Sequence, residues 1–280
     1  MAFKSILVLL FWLCNIAASL AGQITHHAGY VTYNGDYYGG QARTSAWGVP
    51  YMNPNSRYEV SLTLVSFNGR PDGSLKSFAR VGLHVFPWLY HDTKLRFFTS
   101  WRDGNSHTGC PNTNCPGFVV SNSSIIYPGQ AVSPLSQYDG EDRYMTFSIR
   151  KDPATQLWTV YREDYNTSMK IGWWQKGILG GLEDKADAVQ WIGFVSYLDS
   201  DTGPSMGSGH FPREGWHKAA YMADLKYFDQ AGNVYIPSIY DLAMDVDRPD
   251  CYAVLPAAAF FREIGDRNKF YYGGPRGCKN

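Results

Sequence analysis

Residues Glu59–Val65 read EVSLTLV, in which apolar and polar side chains alternate along the whole stretch. Because successive side chains of an extended chain point to opposite faces, this pattern predicts a half-buried β-strand with Ser61 and Thr63 on its polar face. Phe78–Phe86 reads FARVGLHVF and alternates in the same way, with Arg80 on the polar face. Both stretches therefore predict strands of a sheet that covers a core on one side only.

Similar short strands recur along the chain, separated by clusters of Gly, Pro, Asn and Asp. They are expected at Leu95–Trp101, Gly117–Val120, Tyr144–Arg150, Leu157–Tyr161, Ala188–Tyr197 and Ala220–Phe228. Asn34-Gly35 predicts a hairpin within Gly29–Trp47, and Leu179–Ala188 has the composition of a short helix. No repeat or linker divides the chain. We therefore predict an all-β fold, a jelly-roll-like antiparallel β-sandwich of two sheets, as a single domain over residues 22–280.

The first 21 residues have the composition of a signal peptide. Lys4 precedes the apolar run Ile6–Ile16, and Ser19-Leu20-Ala21 is a small-x-small cleavage site. The apolar run is too short to cross a membrane. We therefore expect a soluble, secreted protein, in which the two acceptor motifs at Asn122 and Asn166 predict N-glycosylation.

The overall charge argues against several classes of partner. The chain has 25 Lys and Arg against 25 Asp and Glu, and no basic run, so neither nucleic acid nor a membrane surface is an expected partner. The seven histidines form no metal-binding spacing, and we expect no metal and no cofactor.

Four cysteines remain once Cys14 is removed with the signal peptide: Cys110, Cys115, Cys251 and Cys278. Disulfides are the expected state of an even number of cysteines in an exported protein. The sequence by itself allows three pairings. A zinc site is disfavoured because no C-x-x-C pair exists.

Few residues have the setting that catalysis requires. Ser208 lies between two glycines, which predicts a tight turn and not the Gly-x-Ser-x-Gly elbow of a serine hydrolase. Glu214 lies beside this Gly-rich turn, and His210 is within it. The tryptophans and tyrosines either pack in the core or line a groove that stacks sugar or proline rings. Candidate groove residues are Gln190, Trp191, His210, Glu214, Trp173 and Trp174.

A set of ordered motifs gives the chain a family resemblance. Met206–Gly215 reads MGSGHFPREG, Gly172-Trp173-Trp174 precedes it, and Phe270–Pro275 reads FYYGGP. With the motifs around Cys110 and Cys115, these segments resemble the neprosin domain of plant secreted proteins, from about residue 30 to residue 277. The resemblance implies a two-sheet β-sandwich and a glutamic peptidase of prolyl-endopeptidase type. It also implies the disulfides Cys110–Cys115 and Cys251–Cys278 and an apoplastic or vacuolar location.

In this chain, other residue types occupy the positions of both catalytic glutamates of the family. The segment resembling Glu-x-Gly-Trp-x-Val-x-Pro begins here with Arg80, and the Val-Gln-x-Gly-Gly-Glu-Val segment has Phe194 at its glutamate. A guanidinium stays protonated and cannot act as a base, and a phenyl ring carries no proton. A cation and a ring at these positions favour a carboxylate or apolar partner.

The sequence therefore predicts a pseudopeptidase that binds a proline-rich peptide or a glycan in the former active-site groove. Two alternatives remain: an acid endopeptidase that uses a relocated carboxylate such as Glu214, and a structural protein of the cell wall or apoplast. We expect a monomer. Because the signal peptide leads almost directly into the domain, we expect no N-terminal activation segment.

Overall fold

The computed structural model describes residues 22–70, 76–255 and 268–279, and the predicted signal peptide lies outside this range. The described residues form strands and turns, with one single-turn helix, α1 (Pro87–Tyr90). In chain order the strands are β1 (Gln23–Thr32), β2 (Gly39–Ser45), β3 (Arg57–Ser66), β4 (Ser77–Val85), β5 (Arg96–Asp103), β6 (Thr108–Pro111), β7 (Phe118–Val120), β8 (Tyr144–Lys151), β9 (Trp158–Arg162), β10 (Met169–Trp174), β11 (Ala188–Leu198), β12 (Ala220–Phe228), β13 (Val234–Tyr235), β14 (Leu242–Val246), β15 (Ala253–Val254) and β16 (Lys269–Gly273).

Two antiparallel sheets contain all of these strands. The seven-stranded sheet has the order β14-β1-β11-β3-β4-β5-β6. The nine-stranded sheet has the order β15-β16-β12-β2-β8-β9-β10-β7, with β13 paired to β12. The prediction of an all-β fold with two antiparallel sheets is confirmed.

The core lies between the two sheets and is filled by the apolar side of each alternating strand. Phe97 of the seven-stranded sheet stacks on Phe147 of the other, with 5.1 Å between ring centres. Trp191 is fully buried, and its indole N–H donates a 2.8 Å hydrogen bond to the carbonyl oxygen of Gln41 across the interface. Because the apolar residues take the inner faces, the polar residues of the same strands are left on the outer faces.

Two local predictions differ from the structure. β1 and β2 belong to different sheets, so the turn at Asn34-Gly35 is a crossover between sheets and not a hairpin. It is held by a hydrogen bond from Gly35 N–H to the carbonyl of Asp187. The predicted helix Leu179–Ala188 is reduced to one 3₁₀ turn, Gly180–Leu182, because Ala188 already begins β11.

Both disulfides implied by the resemblance are present and confirmed. Cys110 bonds to Cys115 with 6.2 Å between Cα atoms, and Cys251 bonds to Cys278 with 5.5 Å between Cα atoms. The second disulfide holds the residues after β16 beside β15. Within the described ranges, no helix has the length and apolar character needed to cross a membrane.

A buried hydrogen bond between two tyrosines joins the sheets, and it provides a test of the packing. The hydroxyls of Tyr58 on β3 and Tyr272 on β16 lie 2.8 Å apart, and both side chains are fully buried. Each single change, Tyr58→Phe or Tyr272→Phe, leaves one buried hydroxyl without this partner. We expect each to lower the free energy of unfolding by about 1–2 kcal/mol.

The double variant is expected to lose less than the sum of the two single losses, because the second change no longer breaks this hydrogen bond. Urea unfolding followed by tryptophan fluorescence measures these differences. Tyr240→Phe is the matched control, since Tyr240 is 84% exposed. Strict additivity of the two single losses would contradict the assigned hydrogen bond.

Candidate functional site

The outer face of the seven-stranded sheet brings together both positions at which the resemblance expects glutamates. One row of directly opposed residues runs His27, Phe194, Glu59, His84 and Arg96 across β1, β11, β3, β4 and β5. Directly opposed residues of an antiparallel pair project from the same face. Phe194 therefore lies beside Glu59, a carboxylate that the sequence analysis did not select.

A second row of the same face contains Arg80. It runs Gln190, Thr63, Arg80 and Ser100 across β11, β3, β4 and β5. Gln190, one of the candidate groove residues, therefore lies on the same face as Arg80. Arg80 and Phe194 belong to different rows on strands that flank β3, so the residues between them come from β3.

Five side chains at this position form a connected group that we call the Glu59 cluster: Arg57, Glu59, Ser61, Thr63 and Arg80. The Arg80 guanidinium forms an ion pair with Glu59 Oε1 through Nη1, and its Nε donates a 3.0 Å hydrogen bond to Thr63 Oγ1. The hydroxyl of Ser61 lies 3.4 Å from both Glu59 Oε1 and Thr63 Oγ1. Arg57 Nε lies 3.8 Å from Glu59 Oε2. Both oxygens of the carboxylate thus face a guanidinium.

The electrostatics of the cluster keep Glu59 ionised. The residue is 1% exposed, and burial by itself raises a carboxyl pKa. The guanidinium groups of Arg80 and Arg57 outweigh this effect and hold the pKa of Glu59 below its ordinary value of 4.5. A carboxylate in this state is a weaker base than an ordinary glutamate.

Aromatic rings surround the cluster. The Arg57 guanidinium carbon lies 4.9 Å from the centre of the Phe194 ring and 5.4 Å from that of Phe86. The Arg80 guanidinium carbon lies 4.6 Å from the centre of the Phe78 ring. Phe194 thus contributes a ring surface for Arg57 at the position where the family resemblance expects a glutamate.

His84 lies on the other side of Glu59 and is neutral. Its ring stacks on Phe98 with 4.3 Å between ring centres, and its Nε2 lies 3.0 Å from the Tyr90 hydroxyl. Burial, together with the guanidinium groups of Arg57 and Arg96, lowers the pKa of His84 to about 3 against the opposing charge of Glu59. His84 is therefore uncharged at the pH values where most proteins are folded.

The predicted groove tryptophans are placed elsewhere. Trp191 and Trp174 point into the core between the sheets and are 0% and 1% exposed, so neither ring offers a face to a ligand. Trp173 is partly exposed on the nine-stranded sheet, where the Lys170 ammonium lies 4.7 Å from its ring centre. These placements differ from the sequence prediction. For Trp191 the reason is that side chains alternate along β11, so Trp191 points inward when Gln190 points outward.

His210 and Glu214 form a separate group in the Gly-rich segment. His210 Nδ1 lies 2.9 Å from Glu214 Oε2, and the Tyr138 hydroxyl donates a 3.3 Å hydrogen bond to the same oxygen. Gly207 and Gly209 have φ of +67° and +81°, which fits the predicted turn around Ser208. No hydrogen bond or ion pair joins Glu214 to the Glu59 cluster among the described residues.

The sequence contained a signal for Glu59. Ser61 and Thr63 were assigned to the polar face of β3, and the same period of two places Glu59 on that face. Its proximity to Phe194 and Arg80 depends on the pairing of β3 with β4 and β11, which alternation alone does not specify. Across the described part of the chain, no group of three or more His, Cys, Asp or Glu residues is arranged to hold a metal ion.

The ion pair between Arg80 and Glu59 should stabilise the sheet. Arg80→Met leaves the buried carboxylate with only the more distant Arg57, and we expect the free energy of unfolding at pH 7 to fall by about 2–3 kcal/mol. The Glu59→Gln/Arg80→Met variant should recover part of this loss, because the buried carboxylate is gone and the cation that remains, Arg57, is partly exposed. Urea unfolding measures both, and the exposed Arg102→Met is the control, expected within about 0.5 kcal/mol of wild type.

The same variants have a defined pH dependence. The folded-state pKa of Glu59 lies below its unfolded value, so its contribution to stability is present above about pH 4.5 and is lost as the pH falls through the folded-state value. The difference between wild type and Arg80→Met should therefore shrink in acid. If the double variant and Arg80→Met were equally unstable at pH 7, this result would contradict the assigned ion pair.

His84 should add to acid destabilisation. The folded protein leaves His84 neutral down to about pH 3, whereas the unfolded chain protonates it below about pH 6.5. Between these values the unfolded chain binds one more proton, so the free energy of unfolding falls by up to about 1.4 kcal/mol per pH unit of acidification. His84→Gln should reduce this slope. The exposed His107→Asn should leave it near that of wild type, and equal slopes for wild type and His84→Gln would exclude the effect.

Solved structures and a family model both match this chain. The solved structures to which it is similar include scytalidoglutamic peptidase with a peptide-based transition-state analogue, at 11% identity and a TM-score of 0.48, covering 90% of this chain and 99% of that chain. SCP-B, an eqolisin-family peptidase in complex with the tripeptide Ala-Ile-His, has 10% identity and a TM-score of 0.46, with the same coverage. The Neprosin family model matches residues 57–275, which is most of the chain. This chain therefore belongs to the Neprosin family.

Proposed function

We propose that this protein is a pseudopeptidase of the Neprosin family that binds a proline-rich peptide on the outer face of the seven-stranded sheet. The observation that carries the proposal is the ion pair between Glu59 and Arg80. Glu59 is the carboxylate that lies between the two family positions, and it is held by the residue that replaces one of the expected glutamates.

Peptide hydrolysis by two carboxyl groups needs one group that accepts a proton from water and one that donates a proton or stabilises the oxyanion. Assistance of this kind contributes typically about 10²- to 10⁴-fold per proton transfer. Phe194 carries no proton. Glu59 has its oxygens turned toward Arg80, Ser61 and Arg57, and its lowered pKa makes it a weak base. The cluster therefore has no free group to accept a proton from water, which supports a rate of hydrolysis near background.

The choice of ligand follows from the charges and the rings. The sequence analysis favoured a carboxylate or apolar partner for Arg80, but the positive charge of Arg80 is balanced by Glu59. What remains is one further cation, Arg57, among the rings of Phe194, Phe86 and Phe78. A proline-rich segment fits such a surface because its pyrrolidine rings are apolar and its extended polyproline conformation is already ordered before binding.

The alternative of an active acid endopeptidase has a better candidate in Glu59 than in Glu214. Glu214 is bonded to His210 and Tyr138, apart from the residues of the family positions. Glu59 lies directly opposite Phe194 in the sheet. Export of the protein and glycosylation at Asn122 and Asn166 are part of the proposal, since both follow from the sequence motifs.

Cleavage of a proline-rich protein substrate from about pH 2.5 to about pH 7 tests the loss of catalysis. The proteins to compare are wild type, Arg80→Glu/Phe194→Glu and Arg80→Glu/Phe194→Glu/Glu59→Gln. The triple variant is needed because the double variant leaves Glu59 next to a new carboxyl group, and two adjacent carboxyl groups share a proton. We expect no cleavage by wild type above the substrate blank and a gain of activity in at least one of the two variants.

Two controls separate the alternatives. Cleavage by wild type that disappears in Glu59→Gln would overturn the proposal and identify Glu59 as a relocated catalytic carboxylate. Cleavage that disappears only in Glu214→Gln would overturn it in favour of Glu214. Binding of a fluorescent proline-rich peptide to wild type, weakened in Phe194→Ala, is expected. No binding by wild type would favour the structural-protein alternative.

A further inference from the structure

A cleft lies on the outer face of the nine-stranded sheet, remote in sequence and strand order from the Glu59 cluster. Its volume is about 550 Å³, within the range of small-molecule sites. The floor is formed by Arg150, Tyr161 and Phe228 of β8, β9 and β12. The walls come from the turn between β8 and β9, which includes Asp152, and from the turn after β12. We call this site the Arg150 cleft.

The cations of the Arg150 cleft are already bound by the protein. Arg150 Nη2 donates hydrogen bonds to Glu163 Oε1 at 2.7 Å and to Ser168 Oγ at 3.1 Å. Its guanidinium carbon lies 4.3 Å from the centre of the Tyr161 ring and 5.6 Å from that of Phe228. Lys151 donates to the carbonyl oxygens of Glu183 and Asp184. The charge of Arg150 is therefore balanced by Glu163, and the Lys151 ammonium is held by two backbone carbonyl oxygens.

The carboxylates of the cleft also accept hydrogen bonds from groups of the protein. Asp152 Oδ1 accepts hydrogen bonds from the backbone N–H groups of Ala154 at 3.0 Å and Thr155 at 2.9 Å. Asp229 accepts from the backbone N–H of Asn233 at 2.9 Å and from the Tyr235 hydroxyl at 3.1 Å. These bonds fix the two turns that form the walls. An ammonium ligand would therefore have to compete with these hydrogen bonds for the carboxylate oxygens.

What the cleft offers to a ligand is neutral and polar, beside aromatic rings. The Gln230 amide and the Tyr38 hydroxyl line it, and within the described ranges neither forms a side-chain hydrogen bond to another residue. A ligand that matches this surface has hydroxyl groups to exchange hydrogen bonds, an apolar ring face and no charge. Sugars have this combination, and aromatic side chains present a large apolar surface together with a polar handle.

We propose that the Arg150 cleft binds a neutral oligosaccharide. The sugar has two possible sources with the same chemistry. One is a free oligosaccharide, and the other is an N-glycan attached to Asn166, whose acceptor motif ends at Ser168 in the lining of the cleft. The inference is independent of the peptide-binding proposal, because the two sites lie on different sheets.

The test begins with full-length protein carrying Asn166→Gln, which lacks the acceptor asparagine and cannot be glycosylated at this position. The probes are cellotetraose, chitotetraose and mannotetraose, with tetragalacturonate as an acidic comparison. Backbone amide NMR spectra report on Ala231 and Gly232 in the cleft wall. We expect saturable shifts at these amides with at least one neutral probe, and about fivefold weaker binding for both Gln230→Ala and Tyr38→Phe in the same background. The exposed Gln175→Ala is the matched control and should bind like the parent.

A second arm distinguishes the sources of the sugar. Wild type retains the acceptor motif, so glycosylated wild type and unglycosylated Asn166→Gln differ only by one side-chain methylene and the glycan. If the attached glycan fills the cleft, the amides of Ala231 and Gly232 differ between the two forms, and the glycosylated form no longer binds the free probe. If the source is free oligosaccharide, both forms bind it equally.

The proposal is overturned if no neutral probe shifts the cleft amides and removal of the glycan also leaves them unchanged. It is overturned as well if tetragalacturonate binds as tightly as the best neutral probe, because the internal pairing of Arg150 and Lys151 would then not determine the ligand charge. Equal binding by Gln230→Ala, Tyr38→Phe and the parent would place the sugar at another site and would exclude the Arg150 cleft.

Discussion

The pairing register of β3 with its two neighbours is the constraint on which the rest of the site depends. Side chains of a strand alternate between faces, so a shift of one residue would turn the polar set inward and the apolar set outward. In the observed register Glu59 lies between Phe194 and His84, while Tyr58 on the inner face reaches Tyr272 of the other sheet. The same pairing therefore determines both the core and the chemistry of the outer face.

The Glu59 cluster explains how a buried carboxylate and an arginine are accommodated on the same face. A buried charge is costly unless it is paired, and Arg80 and Glu59 satisfy this condition for each other on adjacent strands. Such a pair gives little net stabilisation compared with apolar residues of the same size, but loss of one partner is costly. Once both residues are present, neither is easily changed alone, and the pKa of the carboxylate stays below its ordinary value.

The sequence contained the strands but not their partners. Eight segments predicted as strands lie close to observed strands. The predicted bounds of one of them, Ala220–Phe228, are those of β12. Alternation could not separate the crossover at Asn34-Gly35 from a hairpin, because the same residues suit both turns and the sheet membership of β2 depends on distant strands. Similarly, Trp191 and Gln190 were both placed in the groove, although neighbouring residues of a strand point to opposite faces. The period of two along β3 was enough to place Glu59 on the outer face. Its contact with Arg80 follows only from the pairing of the strands.

The two outer faces share one arrangement, and it determines which ligands each face suits. Arg80 is paired with Glu59 and lies 4.6 Å from the ring centre of Phe78; Arg150 is paired with Glu163 and lies 4.3 Å from that of Tyr161. In both cases the guanidinium is neutralised by a carboxylate and covered by a ring, so it supports the surface without attracting ions. At these two arginines a partner gains little from charge and more from apolar rings and neutral hydrogen-bonding groups. Proline-rich peptide on one sheet and neutral sugar on the other are two ligands that meet this same physical requirement.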